Sequence, residues 1–226
     1  MRNHAGLGPD ADVADIGAGT GILTRLLLDA NARVHAVEPN APMREALLAA
    51  SRDHARLCVR DGSAEATGLP DRSIDLVTAA QAFHWFKPVA ARREFARILR
   101  PGGHVALIWN TRLDAATPFL TAYEHLLRRR SPDYAAVDHR RVDAALIAPF
   151  FAPGPVRTFT FPNEQRFDFD GLRGRLLSSS YAPAAGHPDH EPMLAELRAI
   201  FHRHQSAGSI SFLYRTELHL GKLLEK

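Results

Sequence analysis

Lysine is nearly missing from this chain of 226 residues: it stands only at Lys87, Lys222 and Lys226, so the 28 basic residues are almost all arginine. Cysteine occurs once, as Cys58, which excludes an internal disulfide and fits a reducing compartment. Its place in an apolar-polar strand pattern predicts a buried, inert thiol. No run of about 18 apolar residues exists, so a membrane-spanning helix is not expected. The polar start Met1-Arg2-Asn3-His4 lacks the apolar core of a secretory signal. Together these absences predict a cytoplasmic protein with no membrane partner. No internal repeat or low-complexity linker is found either. The net charge is only +3, and the densest basic groups, Arg128-Arg129-Arg130 and Arg140-Arg141, are interrupted by Asp133, Asp138 and Asp143. That reads as a solvated face, and no nucleic-acid partner is expected. The 12 histidines are scattered, and His202 and His204 do not share a helix face, so no metal site is expected.

What the chain does have is 46% hydrophobic content, enough to bury one α/β core with an appended helical region. Near its start, Asp12-Val13-Ala14-Asp15-Ile16-Gly17-Ala18-Gly19-Thr20-Gly21 reads as a short apolar strand. It delivers a carboxylate and three alternating glycines to a tight turn, with a helix from about Thr20. Glycines let backbone approach a ligand that side chains would push away, and the helix then points its N–H groups at it. A dinucleotide fingerprint needs G-x-G-x-x-G, whereas Ile22 stands where the third glycine belongs. Asp15 would also repel a pyrophosphate and suits a cationic ligand group.

Strand and helix patterns then alternate. Strands are expected at Arg33–Val37, Leu57–Arg60, Ser73–Ala79 and Val105–Trp109. The helices between them include one capped by Asn40 and one stopped by Arg100-Pro101-Gly102-Gly103. Beyond Asn110 the pattern changes: helices at about Asp114–Arg130, Asp170–Ser180 and His190–Ser206, a strand at Arg157–Phe161, and a last strand at Ile210–Leu218. With no room for a further crossover helix, that last strand is expected antiparallel to its neighbour. The predicted fold is a Rossmann-like, doubly wound, mostly parallel α/β sheet of seven strands with inserted helices. It forms one domain over 1–226: a cofactor-binding core at about 11–112, substrate-covering helices at about 113–208, and the last strand at about 209–220.

Ligands of such sheets bind at the carboxyl ends of the strands. There lie Asp15 and the glycines, then Glu38, Asp61 to Glu65, Gln81 to Phe86, and Asn110 to Arg112. Glu38, seventeen residues after Gly21, can accept hydrogen bonds from both hydroxyls of a ribose, in a dinucleotide or in S-adenosylmethionine. Pro39 and Asn40 would then flank an adenine.

The D-x-G-x-G-x-G after a strand resembles the first motif of the class I S-adenosylmethionine-dependent methyltransferases. Glu38, the Ala64-Glu65 loop, Phe83-His84-Trp85-Phe86 and Leu99-Arg100-Pro101-Gly102-Gly103 follow in order, resembling the type 11 small-molecule group. The resemblance implies a cofactor, S-adenosyl-L-methionine, held by Asp15, Gly17, Ala18, Gly19, Gly21, Glu38, Pro39 and Gln81. It also implies that Ser63 and Ala64 contact the adenine edge, with Asp61 or Glu65 nearby. The small-molecule acceptor would be methylated by in-line displacement, at oxygen or carboxyl by preference. His84 is either the general base or a packing histidine. Trp85, Phe86, Trp109 and Tyr181 are either an acceptor wall or core; Arg112 is either an anchor for a substrate carboxylate or solvent-facing. Nucleobase amine methylation is disfavoured by Gln81-Ala82-Phe83-His84, where an Asn or Asp, two prolines and an aromatic would be expected. Members of the group usually carry a longer segment before the first strand, including a lid helix, so the lid is expected to be missing, truncated or supplied by a partner. Two alternatives remain: a catalytically weak cofactor-binding accessory or sensor protein, and an NAD-dependent oxidoreductase. Assembly as a homodimer is compatible with all three.

Overall fold

The structure, a computed structural model, describes residues 5, 7–51, 54–131, 134, 144–179 and 181–223. Met1-Arg2-Asn3-His4, Arg140 and Arg141, and the aspartates at 133, 138 and 143 lie outside these residues. Among the described residues no helix is long and apolar enough to cross a membrane.

The elements run β1 (Asp12–Ile16), α1 (Ile22–Asp29), β2 (Arg33–Val37), α2 (Ala41–Ala50), β3 (Leu57–Arg60), β4 (Ile74–Ala80), a 3-10 turn (Phe83–Trp85), α3 (Pro88–Ile98) and β5 (Leu99–Arg112). They continue with α4 (Pro118–Arg130), α5 (Ala144–Phe151), β6 (Val156–Phe167), α6 (Phe169–Leu177), α7 (His190–His204) and β7 (Ile210–Gly221). The seven strands lie in the order β3-β2-β1-β4-β5-β7-β6. The first five pair in parallel: Val13 of β1 is level with Val34 on one side and Leu76 on the other. β7 runs against both its neighbours. As numbers rise from Asn110 near the end of β5 to Leu113 just beyond it, their partners fall from Thr216 to Leu213. Along β6, Thr158, Glu164 and Arg166 meet His219, Ser211 and Ser209. The Rossmann-like sheet with an antiparallel last strand is therefore present.

Local signals explain most boundaries. Val13, Ala14 and Ile16 are buried on both faces, as a central parallel strand requires. Asn40 Oδ1 accepts the Met43 N–H at 3.1 Å, capping α2, and Thr117 caps α4 through Leu120 N–H in the same way. Proline in the first turn of α2, α3 and α4 sits where its missing N–H costs nothing.

The chain divides into two compact units. The first comprises Met1–Trp109, Val142–Phe159 and Glu217–Lys226; the second comprises Asn110–Arg141 and Thr160–Thr216. In the first, Phe83, Phe95, Phe150 and Phe151 pack with Ile16, Val77 and Leu107 on one face of the sheet, while Leu27, Val34, Leu76 and Leu220 fill the other. In the second, α4, α6 and α7 close over Phe212 and Tyr214 with Tyr123, Leu172, Leu197 and Phe201.

Several expectations need correction. β5 begins at Leu99, because the Arg100-Pro101-Gly102-Gly103 stop continues extended, with a register shift opposite Ile74 and Leu76. β6 runs on to Phe167 through Pro162, which an edge strand tolerates. Helix α5 was not expected, since Pro149 interrupts its pattern. Cys58 is exposed, because β3 is the other edge of the sheet and alternation alone does not show which strand is last. Arg128, Arg129 and Arg130 are ion-paired with Glu124, Glu196 and Asp189.

Candidate functional site

The glycine turn leaves β1 with Gly17, Gly19 and Gly21 at φ 67°, 56° and 82°, all left-handed. Gly17 and Ala18 N–H donate to Val37 O at 2.8 and 3.2 Å, lashing the turn to the end of β2. A Cβ on Gly17 would stand 2.6 Å from the Ala82 Cβ beyond β4, so only glycine lets these two strand ends meet. Gly19 differs: a Cβ there meets nothing within 4 Å. Its face is room for a ligand. Gly21 caps α1 without a side chain, leaving the first N–H groups of that helix for a ligand or water.

Two carboxylates flank this turn. Glu38, 6% exposed, ends β2; its Oε2 accepts Gly19 N–H at 2.9 Å and its Oε1 accepts Asn40 N–H at 2.9 Å. Each oxygen has a further lone pair, so the carboxylate can still accept two hydroxyls. Asp15 is 1% exposed and turned inward: its Oδ2 takes Thr24 Oγ1–H at 2.7 Å and its Oδ1 takes Thr78 Oγ1–H at 3.0 Å. Burial pushes its pKa up to about 6, against the pull of the two threonines and with a further push from the Glu38 charge.

That shift has a measurable consequence. The folded pKa lies above the unfolded value of 3.8, so the protonated acid favours the fold. The stabilisation is full below the unfolded value and is lost as pH rises through about 6. Asp15→Asn removes the titration, and its amide still meets both threonines. Urea unfolding is expected to find the variant gaining on the wild type between pH 4 and pH 7, by on the order of 2 kcal/mol. Parallel profiles for the two proteins would refute this.

Around the third strand end, Ala64 is buried, and Glu65 N–H donates to Ser63 Oγ at 3.3 Å. Pro39 is exposed. Asp61 is exposed, and its two oxygens receive Arg44 at 3.2 and 3.1 Å. The same guanidinium donates to Glu38 O and Pro39 O at 2.8 Å. Arg44 thus braces the carboxyl ends of β2 and β3.

At the end of β4, Gln81 sits at φ 55°, a left-handed residue that is not glycine, and its N–H donates to Ile108 O at 2.9 Å. Backbone strain of this kind concentrates at functional sites. The 3-10 turn then presents His84 and Trp85 outward, their rings 4.9 Å apart and Trp85 71% exposed, while Phe83 points into the core. Phe86 and Trp109 pack edge-on against Phe83, as core aromatics do.

Asp15, Gly17, Ala18, Gly19, Gly21, Glu38, Pro39, Ser63, Ala64, Glu65, Gln81 and His84 all belong to the first unit. Two other expectations change. Arg112 is neither solvent-facing nor open for a substrate: within the second unit it holds Asp114 at 2.7 Å, Glu124, and Tyr134 Oη at 2.7 Å. Tyr181 packs on Tyr134 in that same unit. Thr24, Thr78 and Arg44 had not been singled out. Thr78 is level with Asp15 across β1 and β4, a relation invisible without the sheet order. Arg44, six residues past Glu38 on a capped helix, could have been suspected from spacing. Among the described residues, no three His, Cys, Asp or Glu side chains form a group that could hold a metal ion.

A methyltransferase-domain family model matches residues 14–107. An uncharacterized methyltransferase-like protein of Schizosaccharomyces pombe is 31% identical over 208 residues, covering 90% of this chain and 79% of that protein. An uncharacterized methyltransferase of Mycobacterium tuberculosis is 47% identical over 100 residues, 44% of this chain. The chain spans 40% of the length of that mycobacterial relative. A solved structure from Anaeromyxobacter dehalogenans, assigned as a type II methyltransferase, superposes with a TM-score of 0.69 at 25% identity, covering 98% of this chain and 94% of the other. With the seven-stranded sheet described above, these likenesses show that the chain belongs to the class I methyltransferase family.

Proposed function

We propose that the chain transfers a methyl group from S-adenosylmethionine to a small-molecule acceptor, at an oxygen or a carboxyl group. The observation that carries the reading is Glu38, whose carboxylate accepts the Gly19 and Asn40 N–H groups beside the open glycine turn and keeps lone pairs for two hydroxyls. Ile22 in place of a third fingerprint glycine weighs against a dinucleotide, as does Asp15 beside the turn.

S-adenosylmethionine, when bound, supplies a methyl on a positively charged sulfur. The residues of the chain would then orient and desolvate. Glu38 would hold the ribose end and the glycine turn would admit it. Ser63 and Ala64 would border the base. His84, exposed on its turn at the end of β4, would take the proton of a hydroxyl acceptor. A carboxylate acceptor would need no base.

Thermal unfolding with S-adenosylhomocysteine, with NADH and with neither is the first test: S-adenosylhomocysteine is expected to raise the midpoint, and NADH is not. Stabilisation by NADH alone would overturn the reading. Methyl transfer to a metabolite panel then separates an enzyme from an accessory cofactor-binding protein. With an acceptor in hand, His84→Gln is expected to cut turnover about tenfold or more at little change in cofactor affinity. Equal losses in both would leave His84 a packing residue.

A further inference from the structure

Glu65 reaches from the loop after β3 to the segment after β4. Its Oε1 accepts the Lys87 N–H at 2.7 Å. Lys87 is the capping residue of α3, whose N-terminus has no side-chain cap of its own and no acidic residue in its first turn, and whose first residue is Pro88. A helix start of that kind lacks a negative partner, and a carboxylate brought to it is favourable. Here the carboxylate comes from a separate loop.

The segment that Glu65 meets is held at its other end as well, by Gln81 N–H on Ile108 O at 2.9 Å. Between the two pins lies the 3-10 turn, closed by Trp85 N–H on Ala82 O and Phe86 N–H on Phe83 O, both at 3.0 Å. It carries His84. The loop that bears Glu65 is itself anchored. Ser63 and Ala66 exchange backbone bonds at 3.1 and 3.2 Å, and Thr67 N–H and Oγ1–H donate to Glu94 Oε1 on α3 at 2.9 and 2.6 Å. A carboxylate projecting from so constrained a loop can hold what it touches. Burial would raise the pKa of Glu65, but the Lys87 N–H and the Ser63 hydroxyl outweigh it and hold the group below its ordinary value.

We propose that Glu65 is a positioning residue: through the Lys87 N–H it fixes the turn that carries His84, and it does not read the cofactor. The inference rests on the role given above to His84 and S-adenosylmethionine. It assigns Glu65 to the acceptor side of the site, where the sequence resemblance had put it beside the adenine.

Hydrogen exchange read by mass spectrometry on the whole chain tests it, with wild type, Glu65→Ala and Glu65→Gln compared and S-adenosylhomocysteine affinity measured alongside. Loss of the bond in Glu65→Ala is expected to speed exchange over residues 82–87 about tenfold. Peptides from β1 and β4 should be unchanged, and the S-adenosylhomocysteine dissociation constant should stay within about threefold, since less than 1 kcal/mol of binding is touched. Glu65→Gln keeps an acceptor oxygen and is expected to restore most of the protection. With an acceptor in hand, kcat should fall about tenfold in Glu65→Ala at unchanged KM for the cofactor. Unchanged exchange in Glu65→Ala, a glutamine variant no better than alanine, or a loss falling on cofactor affinity would each overturn the proposal. A wild-type chain that fails to bind S-adenosylhomocysteine would overturn the cofactor reading instead, while the exchange arms still decide whether Glu65 clamps the turn.

Discussion

Replacing Glu38 by alanine is expected to weaken S-adenosylhomocysteine binding by on the order of 10³-fold, the sum of two lost hydrogen bonds to a charged acceptor. The size follows from what the carboxylate already does. It is nearly buried and holds the Gly19 and Asn40 N–H groups, one on each oxygen, so its remaining lone pairs are aimed by the fold before any ligand arrives. Alanine removes the acceptor and also frees the glycine turn that Glu38 steadies. Glu38→Gln separates the two effects, because one oxygen survives; it should fall between alanine and wild type. Calorimetric titration gives the constants, and an alanine variant within threefold of wild type would refute the role given to Glu38.

The second large effect falls on stability. Gly17→Ala is expected to cost about 3 kcal/mol, combining a left-handed conformation forced on an L side chain with overpacking against a neighbour. The clash is specific: the new Cβ stands 2.6 Å from the Ala82 Cβ, a buried atom that has no rotamer with which to retreat. Gly19→Ala shares the left-handed backbone but meets open space, so about 1 kcal/mol is expected there. Its larger effect should be on ligand binding, because the methyl occupies the face left open beside Glu38. Urea unfolding of both variants, followed by titration with S-adenosylhomocysteine, should show this crossed pattern. Equal losses of stability at the two positions would mean that the approach of Gly17 to Ala82 is looser than the geometry states.

The turn at Gly17 to Gly21, the cap at Asn40 and the carboxylate at Glu38 are local features, each read from a few neighbouring letters, and each stands where it was expected. The mostly parallel sheet was readable because helix and strand alternate, which leaves right-handed crossovers as the connection, whereas the order of the strands comes from the structure. Helix α5 was hidden by Pro149, and the exposure of Cys58 by the fact that alternation reports faces and says nothing of edges. The place of Arg112 is hidden from the sequence for a related reason. Its partners Glu124 and Tyr134 lie on separate parts of the chain, so spacing could not reveal that the guanidinium is consumed internally.

By itself, then, the sequence determined the kind of sheet, the glycine turn and the acidic strand end, because these depend on backbone freedom, periodicity and short-range capping. Only the tertiary structure decided what the neighbouring carboxylates do. Asp15 is turned inward by Thr78 across the sheet, and Glu65 is drawn to Lys87 at the head of α3. A carboxylate goes to the donor that the fold brings within reach, and donors 63 and 22 residues away are neighbours only after the strands have paired.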